Sequence, residues 1–123
     1  MDGAATRYLE AVNLRQAVLA ELDEAVFVRA DLLHAPVWSR PLPTIAESEP
    51  EADPGFAAAS GRCVRPFNFV GLPAVSIPAG FTANGLPNAF QLVARPFDEG
   101  LLLRAAWAYE RETGCTQPAP PLD

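Results

Sequence analysis

The sequence contains no lysine, and all nine of its basic residues are arginine. Fifteen acidic residues outnumber them and leave a formal net charge of −6. Proteins that bind nucleic acids use clustered basic side chains to neutralise phosphates, so this composition argues against a nucleic-acid partner. Arginine stays protonated at working pH, so none of these arginines can replace a lysine that acts as a base.

Histidine and cysteine are almost as scarce. The sequence has one histidine, His34, and two cysteines, Cys63 and Cys115. A metal site requires several such ligands that converge, so we predict no metal and no cofactor. One bridge between the cysteines is possible in principle, but two cysteines do not make a disulfide framework. His34 lies in an apolar run, which favours a structural role. Cys63 has two arginines close in sequence, a setting that can activate a thiol, but no orienting group accompanies it.

Long apolar runs are absent as well. No segment approaches the ~20 residues that a transmembrane helix requires, and the N-terminal MDGAATRYLE lacks the pattern of a signal peptide. We therefore expect a cytoplasmic protein with no membrane partner. The 123 residues, half of them hydrophobic, suffice for a single domain, 1–123, with a buried core.

The first half of the chain predicts a helix, a strand and a loop. Residues 4–30 contain no Gly or Pro, Thr6 or Asp2 could cap them, and their apolar stripe has helical spacing: Leu14, Ala17, Val18, Leu22, Ala25 and Val26. A short apolar run at 30–38 predicts a buried strand. Residues 39–53 hold three prolines and four acids and predict an exposed loop. The acids alternate and indicate a solvated charge run rather than a paired-carboxylate site: Glu47, Glu49, Glu51 and Asp53.

The second half predicts a β-hairpin and a final helix. Residues 54–70, which begin at Pro54, indicate one or two short helical pieces. Strands are predicted near 74–81 and 88–94 around an apex at Asn84 and Gly85. Pro78 cannot donate to a sheet ladder, so we expect it at an edge or a bulge.

The final helix is predicted over 99–112, with Asp98 as N-cap and Gly114 as its stop. Its apolar stripe is Leu102, Ala105, Ala106 and Tyr109. Residues 116–123 predict a frayed tail. The fold class is therefore α/β, a small mixed sheet with a β-hairpin and flanking helices.

Two segments resemble the C-terminal part of the amidase signature family: PFNFVGLPAVSIPAGF at 66–81 and GLPNAFQLVARPFDEGLLLRAAWAYE at 85–110. DLLHAP, at 31–36, and the helix before it are similar to family elements too. The positions that match are Asn68, Gly71, Pro73, Pro78, Gly80, Gly85, Leu86, Pro87, Gln91, Arg95 and Glu99. The chain departs from the family's pattern at Asn88 and Ala89, and at His34 where threonine is common.

The resemblance implies hydrolysis of a carboxamide C–N bond by a serine nucleophile, a bridging serine and a lysine. In the family these residues lie upstream of the part seen here. The four serines of this chain lie outside any glycine-serine-serine-glycine context: Ser39, Ser48, Ser60 and Ser76. We therefore expect the C-terminal segment of an amidase-like amidohydrolase that is catalytically incompetent alone, with no catalytic residue of its own.

The resemblance also implies that this part supplies some of the wall of the substrate pocket. The candidate substrate-binding residues are Trp38, Phe67 and Asn68, together with the turn at 82–88. For Asn68 the sequence favours the alternative role of fixing a loop by a hydrogen bond. The expected partner is the missing N-terminal amidase half or a second copy of the chain. The alternative function is a non-catalytic module, for example a homodimer, that self-associates or binds a partner.

Overall fold

The computed structural model describes residues 3–49, 53 and 55–114. The predictions that concern Asp2, Glu51, Pro54, Cys115 and the tail at 116–123 lie outside these residues. The helices are α1 (Gly3–Leu22), α2 (Phe56–Gly61), α3 (Arg65–Val70) and α4 (Glu99–Thr113). The strands are β1 (Leu33–Pro36), β2 (Ala74–Phe81) and β3 (Pro87–Val93). A π-type turn, Asp23–Phe27, follows α1, and a 3-10 turn, Ala46–Ser48, lies in the loop after β1.

The three strands form one sheet in the order β1-β3-β2. β3 pairs antiparallel with both neighbours, so β1 and β2 run in the same direction on its two sides. The segment between them carries α2 and α3. The predicted α/β class with a hairpin and flanking helices is confirmed. The sequence predicted a mixed sheet, but within the described residues both strand pairings are antiparallel. The parallel strands β1 and β2 are not neighbours, because β3 lies between them.

The hairpin between β2 and β3 is confirmed, but its turn begins two residues before Asn84. The Gly85 N–H donates to the Thr82 carbonyl at 2.9 Å, and the Thr82 N–H donates to the Leu86 carbonyl at 2.8 Å. Gly85 has φ of +76°. This is a turn over residues 82–85 whose last position is left-handed, a form that glycine adopts without a steric penalty.

Pro78 lies on an edge strand, directly before a bulge. The register pairs Pro78 with Ala89 and then Phe81 with Pro87, so two residues of β2 oppose one residue of β3. Gly80, within the bulge, has φ of +89°. Proline is tolerated here because an edge strand needs no donor on its outer side.

Each face of the sheet packs against helices. Residues that oppose each other across an antiparallel pair lie on the same face, so Leu33 and Val93 share one face, and Ile77 and Phe90 share the other. On the first face the buried cluster is Phe27, Val70, Leu72 and Val93. On the second face Phe90 meets Tyr109 of α4 edge-on, with ring centroids 5.0 Å apart. The sheet therefore lies between α4 and the layer of α1 and α3.

The predicted first helix is correct in kind but ends earlier than expected, and its stripe is only partly buried. Val18, Leu22 and Val26 pack against the buried cluster, whereas Leu14 remains 58% exposed. The Val28 N–H donates to the Asp23 carbonyl at 3.0 Å, a bond of π type. The extra residue rotates the following positions, so Phe27, only 2% exposed, takes the core position.

Two short helices, α2 and α3, occupy the region where one or two were predicted. The final helix is confirmed within one residue, and Gly114 caps it in a left-handed conformation, with its N–H donating to the Glu110 carbonyl at 2.9 Å. Asp98 takes the predicted N-cap position, and its carbonyl accepts the Leu101 N–H at 3.1 Å, but its side chain makes no capping bond. The preceding Phe97, at φ of +66°, sets the chain direction there.

Arg95 joins the end of β3 to the end of the first helix. Its guanidinium donates to the carbonyls of Phe27 and Ala30, the second at 3.5 Å. It also lies 3.5 Å from the Asp31 carboxylate and 3.9 Å from that of Asp23. A cation near carbonyls at a helix end is stabilising, so this family-matching arginine has a structural role here.

Candidate functional site

A cleft of about 550 Å³ lies between the segment that follows β1 and the β2–β3 hairpin. The described residues that line it are mostly apolar, with one charged side chain: Val37, Trp38, Arg40, Pro41, Leu42, Ser76, Pro78, Thr82, Pro87, Asn88 and Ala89. Ligand sites are concave and largely apolar with a few polar groups, so this cleft is the candidate functional site.

Trp38 is the largest side chain in the cleft. The chain leaves the sheet at Pro36, and the next residues turn across the face of the hairpin that carries Ser76 and Ala89. The indole packs beside Phe56 of α2, with ring centroids 5.8 Å apart and planes at 56°. Its Nε1 is buried and has no acceptor among the described residues. A buried donor without a partner is costly.

Gln91 holds the segment that carries Trp38. This β3 side chain is 4% exposed. Its Nε2 donates to the Pro36 carbonyl at 2.9 Å and to the Cys63 carbonyl at 2.7 Å. The two bonds join the end of β1 to the connection between α2 and α3. Gln91 is therefore a positioning residue for the cleft and not part of its lining.

The structure does not bring the three predicted substrate-binding residues together in this cleft. Trp38 lines it, but Phe67 packs against the buried cluster around Phe27 and Val93. Asn68 is exposed on α3, and it is not among the described residues that line the cleft. Phe67 and Asn68 belong to the helical layer at the other end of the same sheet face.

The other chemically interesting residues make local contacts. His34 is exposed and lies 4.8 Å from the Phe90 ring, on the face that α4 covers. Cys63 is half-buried, and its carbonyl accepts the hydrogen bond from Gln91 Nε2. Ser39 Oγ donates to the Ala59 carbonyl at 3.3 Å. These contacts agree with the structural roles that the sequence favoured for the histidine and the cysteine.

Two acids of the loop after β1, Glu47 and Asp53, bond to neighbouring residues. The Thr44 N–H donates to Glu47 Oε2 at 2.9 Å, and this bond, with a second from the Thr44 hydroxyl, lowers the pKa of Glu47. The Glu47 N–H donates in return to Thr44 Oγ1 at 3.3 Å, which completes a capping box. The Arg40 guanidinium donates to Asp53 and lowers its pKa. Threonine followed three positions later by glutamate was a readable signal for this turn, which the prediction of a solvated charge run did not include.

The described part of the chain holds neither a metal cluster nor a membrane-crossing helix. No three His, Cys, Asp or Glu side chains there are grouped closely enough to hold a metal ion. None of its helices has the length and apolar character that crossing a membrane requires.

The family model described as Amidase matches residues 2–103. The match covers most of the chain, including β1, the hairpin and the cleft. The chain belongs to the amidase family.

Among curated proteins, the chain is similar to a glutamyl-tRNA(Gln) amidotransferase subunit found in several organisms. It is 38% identical over 115 residues to that of Carboxydothermus hydrogenoformans, a match over 94% of this chain and 23% of the relative. For Moorella thermoacetica the identity is 39% over 117 residues, with the same two shares. For Methanosarcina acetivorans it is 39% over 114 residues, covering 93% of this chain and 23% of the relative. The chain thus spans about a quarter of the length of these relatives.

Proposed function

We propose that this chain is the C-terminal segment of an amidase-like amidohydrolase and that it hydrolyses no carboxamide by itself. The observation that carries the proposal is its span of about a quarter of its relatives' length, together with a sequence that contains no lysine. A serine hydroxyl at its ordinary pKa is a poor nucleophile without an adjacent base. Since arginine keeps its proton, none of the nine arginines can serve as that base.

In this proposal the chain contributes part of the pocket wall to a catalytic centre whose residues lie outside this sequence. The cleft suits an apolar group, because most of the described side chains that line it beside Trp38 are apolar. Phe67 and Asn68 remain proposed substrate-binding residues, and they would contact substrate only if the missing part extends the pocket along the helical layer. The relatives are named amidotransferases, which supports a primary carboxamide as the substrate class.

The test is complementation. The purified chain is assayed on a panel of primary carboxamides and anilides, alone and with the N-terminal three quarters of the Moorella thermoacetica relative, co-expressed without its own C-terminal quarter. We expect ammonia or aniline release only from the mixture. Removing a general base and nucleophile typically lowers a rate by many powers of ten. Turnover by the lone chain that survives purification, and that disappears on mutating one of its own residues, would refute the proposal.

Trp38→Ala tests the role of the cleft in the same mixture. We expect a higher KM, or lower kcat/KM, with unchanged association between the two polypeptides. Leu103→Ala is a matched control, because Leu103 is 64% exposed on α4, the helix that packs on the opposite face of the sheet. Equal kinetics for the two variants would remove the cleft from the proposal.

An alternative is a non-catalytic module that self-associates as a homodimer. Among the described residues, seven hydrophobic side chains are buried and thirteen large ones are exposed, including Tyr8, Leu9 and Val12 on α1. Exposed apolar patches of this kind mark interaction sites, and a stable interface buries about 800 Å² per partner. Sedimentation of the lone chain at micromolar concentration decides the matter. A folded species at the monomer mass of 13.2 kDa would count against the homodimer.

A further inference from the structure

The pairing of the sheet determines which backbone groups of β2 point outwards. The Ala94 N–H donates to the Pro73 carbonyl at 3.1 Å, just beyond the paired strands. Hydrogen-bonded pairs recur at every second residue of an antiparallel ladder. With the observed register, Val75 and Ile77 therefore bond to β3, and the backbone groups of Ala74, Ser76 and Pro78 turn away from it.

The same reasoning applies to β1 on the other side of β3. Along β3, the backbone groups of successive residues point alternately towards β2 and towards β1. The residues of β3 that point towards β1 are Val93 and Gln91, so their partners Leu33 and Ala35 bond to β3. His34 and Pro36 then face outwards. Both outer edges thus carry a proline at a position where no ladder bond is lost, which agrees with the derived directions.

The two edges differ in what they can offer to another strand. β1 has four residues and one outward N–H, that of His34, since Pro36 has none. β2 has eight residues, and before the bulge it presents two outward N–H groups, at Ala74 and Ser76, and three outward carbonyls. No further strand pairs with β2 in the described part of the chain. An unpaired edge of this length is a template for strand addition.

We infer that the outer edge of β2 is the docking site for a β-strand from the part of the amidase that lies outside this sequence. This inference rests on the proposed function. About three quarters of each relative's length lies outside the region that this chain matches, and the chain's own sheet has three strands. Ser76 and Pro78 also line the cleft. A strand paired with β2 would therefore run along the cleft and close that side of it, which links assembly to formation of the substrate pocket.

Amide hydrogen exchange tests the inference without any substitution. In the lone chain the Ala74 and Ser76 amides should exchange fast, and those of Val75 and Ile77 slowly, because the latter two are paired with β3. The probe is the N-terminal three quarters of the Carboxydothermus hydrogenoformans relative. On forming the complex we expect the Ala74 and Ser76 amides to slow by about 100-fold, while the His34 amide is unchanged.

Proline variants provide the second measurement. Ser76→Pro removes one outward donor and no bond to β3, and should weaken the complex at least about tenfold. Ser76→Val keeps the N–H and should bind normally. His34→Pro makes the same change at the outer edge of β1 and should also bind normally. If Ser76→Pro fails to fold by circular dichroism, the exchange data on the unmodified chain decide.

Three results would overturn the inference, and they separate it from the proposed function. A complex in which Ala74 and Ser76 stay unprotected refutes the docking edge and leaves the proposed function standing. The absence of any complex refutes the docking edge, whereas the proposed function is refuted by turnover of the lone chain. Protection of these amides in the lone chain as its concentration rises would assign the edge to a second copy of this chain.

Discussion

Replacing Gln91 by methionine should destabilise the fold by about 2–4 kcal/mol. Methionine has nearly the same shape but cannot donate to the Pro36 and Cys63 carbonyls, which Gln91 Nε2 reaches at 2.9 and 2.7 Å. An internal hydrogen bond contributes about 0.5–1.5 kcal/mol, and a buried group left without its partner costs about 1–3 kcal/mol. Gln91 is 4% exposed, so water does not replace the lost donor easily.

The assay is thermal and urea unfolding followed by far-ultraviolet circular dichroism. For a domain of this size the loss corresponds to a fall in Tm of more than about 8 °C. Tryptophan emission adds a local readout, because release of the segment after Pro36 exposes Trp38, whereas Trp107 is already 59% exposed. We expect a red shift in the folded Gln91→Met protein.

Asn88→Met is the matched control. Asn88 lies on the same strand, is exposed, and its side chain accepts a bond from the adjacent Ala89 N–H at 2.9 Å. This control should lie within about 0.5 kcal/mol of the unmodified chain, as is usual for surface positions. If Gln91→Met is equally mild, the argument that Gln91 holds the cleft in place is wrong.

Three further predictions concern single residues. Arg95→Met should cost about 2 kcal/mol in urea unfolding, because its charged bonds to the Phe27 and Ala30 carbonyls are lost from a partly exposed site; a loss below about 0.5 kcal/mol would contradict this. Phe97→Gly should raise Tm by a few degrees, because a left-handed conformation costs a non-glycine residue about 1–2 kcal/mol and the Phe97 side chain is 95% exposed. Phe97→Ala keeps Cβ and should leave Tm unchanged. The pKa of Glu47 is lowered in the fold, so its bond from the Thr44 N–H stabilises the loop above the ordinary value of 4.5 and is lost as pH falls through the lowered pKa. The Thr44 amide shift should titrate below pH 4.5, and a midpoint at or above that value would disprove the contact.

The elements that local chemistry determines could be predicted from the sequence. Asn84 and Gly85 between two β-rich runs identify a hairpin, and Gly114 after an amphipathic run identifies the end of α4. These signals need only neighbouring residues. The predicted position of the turn differs from the observed one. Gly85, with φ of +76°, takes the left-handed position at the end of the turn, whereas Asn84 does not adopt a positive φ.

The cleft could not be predicted because its residues meet through long-range contacts. Gln91 bonds to residues 55 and 28 positions away, and no local pattern reveals those partners. Phe67 belongs to a family motif, and it is partly buried against the buried cluster rather than part of the described cleft lining. The burial of Phe27 depends on a single π-type bond that shifts the helical phase, and a strictly 3.6-residue pattern cannot detect it.

The arrangement of β1 has a consequence for the order of folding. The hairpin joins neighbouring segments and can form within microseconds, but β1 pairs with a strand 58 positions further along the chain, as at His34 and Leu92. At a synthesis rate of about 5–20 residues per second, β1 leaves the ribosome roughly 3–12 s before the strand that receives it. During that interval its apolar residues have no native partner, and the short strand with Pro36 at its end limits what else can pair with it.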